Sequence, residues 1–140
     1  MKKCVLLNNI KEERLEQIKR RKILVVDDEP DMLLAIKMRL EASGFEVITA
    51  TDGMEGLNLA RREKPDLLVL DIMLPKMNGY KVSRLLKFDE EYKHIPIVML
   101  TALAGEDDRA TGAQTGADAY ITKPFETAQL IDTIRRFLPD

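Results

Sequence analysis

Leu67-Leu68-Val69-Leu70-Asp71 constrains the fold of this chain more than any other stretch. Four consecutive apolar residues without alternation read as a strand buried on both faces, as in the middle of a parallel sheet. Asp71 closes the run, where such a strand turns its last side chain toward the carboxyl edge of the sheet. In open α/β sheets that edge is where ligands gather. Pro75 stops the pairing, and Asn78-Gly79 supply a turn. Taken alone, Asp71 can be a metal ligand, a base, a nucleophile or a helix cap, and the cap is the default among these.

The 140 residues suffice for one domain with a real core. An apolar share of 45% and a charged share of 33% describe a soluble globular protein. The net charge of −2 gives no whole-chain bias toward nucleic acid or membrane. Cys4 is the single cysteine, which excludes an internal disulfide and a cysteine-based metal site and suits a reducing cytosol. No apolar run reaches membrane-spanning length. Met1 to Leu7 opens like a signal peptide but loses its apolar character at Asn8-Asn9, so the expected location is cytoplasmic, with no membrane insertion.

Residues 1–21 form a separate segment, with seven Lys/Arg against three Glu; the rest of the chain carries 15 against 21. Ile10 to Arg21 lacks Gly and Pro, which predicts a helical extension. Leu7, Ile10, Leu15 and Ile18 make only an imperfect stripe, so a solvated extension is the first reading and a partner or dimer helix the second. The domain proper is expected over 22–140. Lys22 to Val26 predicts a second buried strand, followed by Asp27-Asp28-Glu29. Pro30 and Asp31 then start a helix whose apolar face holds Leu33, Leu34, Ala35, Ile36 and Leu40, with Ser43-Gly44 as its stop.

Phe45 to Ala50 is the next expected strand, and Thr51-Asp52 cap a helix that Pro65 ends. A short helix through Val82, Leu85 and Leu86 leads to the strand Ile97–Leu100, which ends in Thr101. Residues 104–119 contain no Val, Ile, Leu, Met or Phe, so a helix over 107–115 would be weakly anchored. Tyr120-Ile121 is a short fifth strand before Lys123-Pro124. Leu130, Ile131, Ile134, Phe137 and Leu138 mark the last helix. Methionines 32, 38, 54 and 99 read as packing residues, and His94, the only histidine, as a surface side chain. Five strands alternating with five helices predict a doubly wound α/β sheet.

Parallel pairing would bring Asp27-Asp28, Asp71, Thr101 and Lys123 to one edge. Three crowded carboxylates repel one another unless a hard cation binds, and Mg²⁺ takes oxygen ligands while keeping waters. A lysine there balances charge or holds an anion, and a threonine hydroxyl can bond an anion's oxygen. Together these types suit phosphoryl transfer with an aspartate as nucleophile.

At Val25-Val26-Asp27-Asp28-Glu29, Leu70 to Gly79, Met99-Leu100-Thr101-Ala102, Gly116 to Tyr120 and Ile121-Thr122-Lys123-Pro124-Phe125 the chain resembles the receiver domain of two-component response regulators. The resemblance runs from residue 22 to about 139. It implies a flavodoxin-like sheet in the order 2-1-3-4-5. It also implies phosphorylation of Asp71 by a histidine kinase or phosphotransfer protein. Mg²⁺ would be held by Asp27, Asp28, Asp71 and the Met73 carbonyl. Lys123 would contact the phosphoryl group through a chain whose bond to Pro124 is cis. Thr101 and Tyr120 would act as a switch that alters the 107–120 surface for a downstream protein. The residues two past Asp71 and two past Thr101 are Met73 and Leu103, both apolar, which implies slow loss of the phosphoryl group.

Two other classes share parts of this pattern. A haloacid-dehalogenase-like phosphatase wants a second aspartate two residues after the nucleophile, where this chain has Met73. A nucleotide module wants a glycine loop after Val26, and none is present. With Pro139-Asp140 closing the sequence, the expectation is a stand-alone switch of the chemotaxis-regulator type, without direct nucleic-acid binding and with a homodimer as an option.

Overall fold

The computed structural model describes residues 20–102 and 116–139. Five parallel strands, β1 (Lys22–Val26), β2 (Glu46–Ala50), β3 (Leu67–Asp71), β4 (Ile97–Thr101) and β5 (Ala119–Thr122), lie in the order β2-β1-β3-β4-β5. Four helices occur among the described residues: α1 (Pro30–Ala42), α2 (Gly53–Glu63), α3 (Gly79–Lys87) and α4 (Thr127–Phe137). The expected extension helix over 1–21 and the helix over 107–115 fall largely or wholly outside the described residues. None of the four is long and apolar enough to cross a membrane.

The apolar runs are continuous because the sheet is covered on both faces, and the two-residue strand period sorts them. Ile23, Val25, Leu67 and Val69 pack with Leu33, Ile36 and Leu40 of α1 and with Leu130 and Ile134 of α4. Leu24, Val26, Leu68 and Leu70 pack on the other side with Leu57 and Ala60 of α2 and Val82 and Leu86 of α3. Each of these large side chains contributes about 1.5–3 kcal/mol when fully buried.

Local chemistry sets the helix ends. Asp52 is the N-cap of α2, its Oδ1 accepting from the Glu55 N–H at 2.7 Å. Lys64 ends that helix in the left-handed region, with φ 45°. Asn78, expected in a turn with Gly79, is the N-cap of α3 and accepts from the Lys81 N–H at 3.0 Å. The distinction is small in sequence, because Asn and Gly serve turns and caps alike.

Several expected packing residues lie elsewhere. Leu34 is 57% exposed and Ala35 is exposed, because α1 docks through Leu33, Ile36 and Leu40 and turns their neighbours outward. Leu85 sits at the edge of α3's buried face for the same reason. Met99 is fully buried and Met32 half-buried, but Met38 and Met54 are exposed. Phe45 is buried yet precedes β2; its N–H is spent on the Leu40 carbonyl at 3.1 Å, closing the turn after α1. His94 is exposed, as expected.

Candidate phosphoryl-transfer site

Register builds the site. β1 and β3 pair with Val26 opposite Leu70, so Asp27 and Asp71 follow at the same level on adjoining strands. β4 places Leu100 opposite Asp71, and β5 places Thr122 opposite Thr101, one residue before Lys123. The Lys123 N–H donates to the Thr101 carbonyl at 2.7 Å, fixing the approach of the lysine to the edge. Its peptide bond to Pro124 is cis.

Asp27 is fully buried and Asp71 is 5% exposed, whereas Asp28 is exposed. One carboxylate oxygen from each of the three lies within 4.8 Å of the others. Such a set of hard oxygens, one of them open to water, fits a magnesium ion that keeps part of its hydration. The Lys123 ammonium sits between the two buried members, 3.2 Å from Oδ2 of Asp27 and 3.2 Å from Oδ2 of Asp71. The remaining oxygens are bound locally. Asp27 Oδ1 accepts from the Glu29 N–H at 2.9 Å, and Asp71 Oδ1 accepts a longer bond, 3.3 Å, from the Met73 N–H.

The charges are unevenly balanced. Burial raises the Asp71 pKa, Lys123 pulls it back, and the neighbouring Asp27 pushes it up again, for a net rise. An ion-pair attraction of about 4 kcal/mol at intermediate dielectric is of the same order as the several kcal/mol lost when each ion leaves water. At Asp71 burial prevails. For Lys123, burial disfavours the ammonium, but Asp71 and then Asp27 outweigh it and its pKa is raised. The lysine is therefore firmly charged and Asp71 is the carboxylate held under stress.

Thr101 closes β4 at 3% exposure. Tyr120, in β5, is half-buried, and its hydroxyl is buried with no hydrogen-bond partner among the described residues. Burial and the nearby Tyr80 raise its pKa, so the phenol stays protonated. The Met73 side chain is 66% exposed at the rim. Of the residues singled out in the sequence, 27, 28, 71, 73, 101 and 123 lie at or next to the carboxyl edge, whereas Tyr120 sits within β5, opposite Met99 and two residues short of that edge. Leu103 lies outside the described residues.

Two glycines serve the site in a way that residue type alone did not reveal. A Cβ on Gly79 would clash with the Asp71 carbonyl oxygen and with Ile72 Cα at 2.9 Å, so only glycine lets α3 start against the end of β3. Its N–H donates to the Ile72 carbonyl at 2.8 Å. Gly53 admits the Met77 carbonyl in the same manner, and its N–H donates to the Pro75 carbonyl at 3.2 Å. Between them Lys76 takes a left-handed φ of 67°, and its ammonium reaches Asp52 Oδ2 at 3.5 Å.

A doubly wound sheet whose carboxyl edge holds three carboxylates and a lysine defines a phosphoryl-handling switch domain. The family model of the response regulator receiver domain matches residues 23–135, and the chain belongs to that family. It is 39% identical over 118 residues to the polar-differentiation response regulator DivK of Brucella anthropi, covering 84% of this chain and 96% of that protein. It is 41% identical over 117 residues to the DNA-binding dual master transcriptional regulator RpaA of Synechocystis, covering 84% of this chain and 48% of that one. The chain spans about half the length of most of the curated relatives it matches. Among solved structures it superposes with a TM-score of 0.79 on the receiver domain of a sensor histidine kinase from Pseudomonas aeruginosa. That match is 31% identical, covers 86% of this chain and 99% of that one, and the structure has a magnesium ion coordinated in its active site cleft. The phosphatase and nucleotide-module readings are thereby set aside.

Proposed function

We propose that Asp71 is the phosphoacceptor of this receiver domain and that the phosphoryl group comes from a phosphohistidine of a histidine kinase or phosphotransfer protein. A single observation carries this reading: the nearly buried Asp71 carboxylate shares the Lys123 ammonium with Asp27 and lies within 4.8 Å of both other acidic groups. In the transfer, a bond forms between an Asp71 carboxylate oxygen and phosphorus as the bond from phosphorus to the imidazole nitrogen breaks. The donor histidine leaves as an imidazole, and an acyl phosphate results. Magnesium, when bound by Asp27, Asp28, Asp71 and the Met73 carbonyl, neutralises oxygen charge that would otherwise repel the incoming group. Lys123 holds a phosphoryl oxygen, and burial of Asp71 keeps competing water away.

Thr101 and Tyr120 then act as the switch. The Thr101 hydroxyl turns to the phosphoryl oxygen, the Tyr120 ring follows, and the 107–120 surface changes its affinity for a downstream protein. The domain comprises 22–140, with 1–21 an extension outside it, and works in the cytoplasm as a signalling switch that promotes its own phosphorylation and slow dephosphorylation. The RpaA relative binds DNA and is about twice as long. For the segment described here the partner is a protein, and a second copy of the chain is an option.

The test is labelling with acetyl phosphate and Mg²⁺, read by intact mass. Wild type should gain one phosphoryl group, and Asp71→Asn or removal of Mg²⁺ should abolish the gain. Equal labelling of Asp71→Asn would overturn the assignment.

A further inference from the structure

The turn that joins β2 to α2 supplies no carboxylate to the acidic cluster, yet it bonds the backbone on both sides of it. The Ala50 carbonyl, at the end of β2, accepts from the Asp27 N–H at 3.1 Å. The Gly53 N–H, at the start of α2, donates to the Pro75 carbonyl at 3.2 Å. Pro75 belongs to the loop that follows Asp71, a short step beyond Met73. One short turn therefore fixes Asp27 and that loop relative to each other.

The fit at Gly53 leaves no slack. Gly53 is buried, and a Cβ there would run into the Met77 carbonyl and reach the Met77 Cβ at 3.0 Å. The carbonyl is backbone, so relief requires moving the loop or the first turn of α2. A shift at Pro75 reaches Met73 through a stiff connection. The pyrrolidine ring fixes the φ of Pro75 and disfavours helical backbone at Leu74. Leu74 is itself 8% exposed, in the core cluster that Leu57 of α2 also enters. On the other side Ile72 is 2% exposed, and its N–H donates to the Leu100 carbonyl at 3.2 Å. The Met73 carbonyl thus belongs to a stretch of backbone clamped from both sides, and the downstream clamp rests on Gly53. A second link between the two elements, from the Lys76 ammonium to Asp52 Oδ2 at 3.5 Å, is weaker. That lysine side chain is 70% exposed, and exposed ion pairs hold little.

We propose that Gly53 is a positioning residue for the metal side of this site. Bare of a side chain, it seats the 73–78 loop so that the Met73 carbonyl can join Asp27, Asp28 and Asp71 around Mg²⁺. The inference rests on the reading of that carbonyl as a metal ligand. Removing the support of a ligand typically costs roughly tenfold or more in metal affinity. Alanine is a better helix former than glycine, so a loss of affinity in Gly53→Ala would come from the displaced loop and not from a weakened α2.

The test is a Mg²⁺ titration of the full chain followed by ¹³C NMR at the Met73 carbonyl and at the aspartate carboxyls. In wild type both kinds of signal should move together. In Gly53→Ala the dissociation constant should rise about tenfold. At saturation the Met73 carbonyl should shift less than in wild type, while the Asp27 carboxyl still responds. Lys76→Gln should change the constant less than about twofold. A purely structural role would lower the unfolding temperature and leave the Met73 response at saturation intact. Wild type supplies a reciprocal measurement that does not depend on the variant folding: Mg²⁺ should slow hydrogen exchange at the Gly53 N–H, because a loop that favours the metal is favoured by it in turn. A full Met73 response in folded Gly53→Ala, a Lys76→Gln effect as large as that of Gly53→Ala, or Gly53 exchange indifferent to Mg²⁺ would each overturn the inference alone. A Met73 carbonyl that stays still in wild type while the carboxyls respond would overturn the ligand assignment, and the inference with it.

Discussion

Lys123 Nζ lies 3.2 Å from Asp71 Oδ2, although 52 residues separate them in the chain. The same ammonium bonds Asp27, so one lysine holds two buried carboxylates that would otherwise repel each other. Lys123→Gln removes that cation. The Asp71 pKa should then rise further, because burial and Asp27 both act in that direction. The variant should also bind Mg²⁺ more tightly, since the metal no longer competes with an ammonium for the same oxygens. Carbon-detected NMR titration of the aspartate carboxyls and calorimetric Mg²⁺ binding test both effects. A lowered Asp71 pKa would contradict this account of the charge balance.

Stability should carry the mark of Asp71. Its folded pKa is raised, so the folded state keeps a proton that the unfolded chain has already released. Stability therefore falls as pH rises from the ordinary carboxylate range through the raised value, and the loss is complete above it. Asp71→Asn lacks that loss. In Mg²⁺-free buffer it should be more stable than wild type at neutral pH, by on the order of 1 kcal/mol, an ordinary single-site effect. The gap should close toward acid pH. Urea unfolding across pH measures this, and a gap that widens in acid would refute the sign.

Gly79→Ala should be costly for so small a change. The new methyl group meets the Asp71 carbonyl and Ile72 Cα, both backbone, so relief requires moving α3 or the end of β3. A loss of about 2–3 kcal/mol is expected, in the range of overpacked sites. Phosphoryl labelling should fall as well, because the Asp71 backbone is what must move. Chemical denaturation and intact-mass labelling check both, and a neutral variant would show that the loop yields freely.

Persistence of the acyl phosphate provides a fourth measure. Met73 lies two residues past Asp71 with its side chain exposed at the rim, and Leu103 lies two past Thr101. Neither side chain can hydrogen-bond an attacking water. Met73→Asn with Leu103→Glu should shorten the phosphoprotein lifetime roughly tenfold to a hundredfold, corresponding to ~1–3 kcal/mol of positioning. The decay of the phosphorylated mass in Mg²⁺ buffer measures it, and an unchanged half-life would remove both residues from the account.

The sequence by itself determined the strands and the edge on which the chemistry sits. Leu67–Leu70 and Ile97–Leu100 are apolar without interruption because both faces of each strand are covered, and that pattern survives with no knowledge of partners. Asp71, Thr101 and Lys123 were legible for the same reason, since parallel strands must deliver their carboxyl ends to one edge. Tertiary structure alone decided which faces of the helices are buried. Leu33 and Leu34 are the same residue type side by side, and only the docking angle of α1 sends one into the core and the other into water. It also decided the distances: strand register sets Lys123 between Asp27 and Asp71 and places Gly79 against the Asp71 carbonyl.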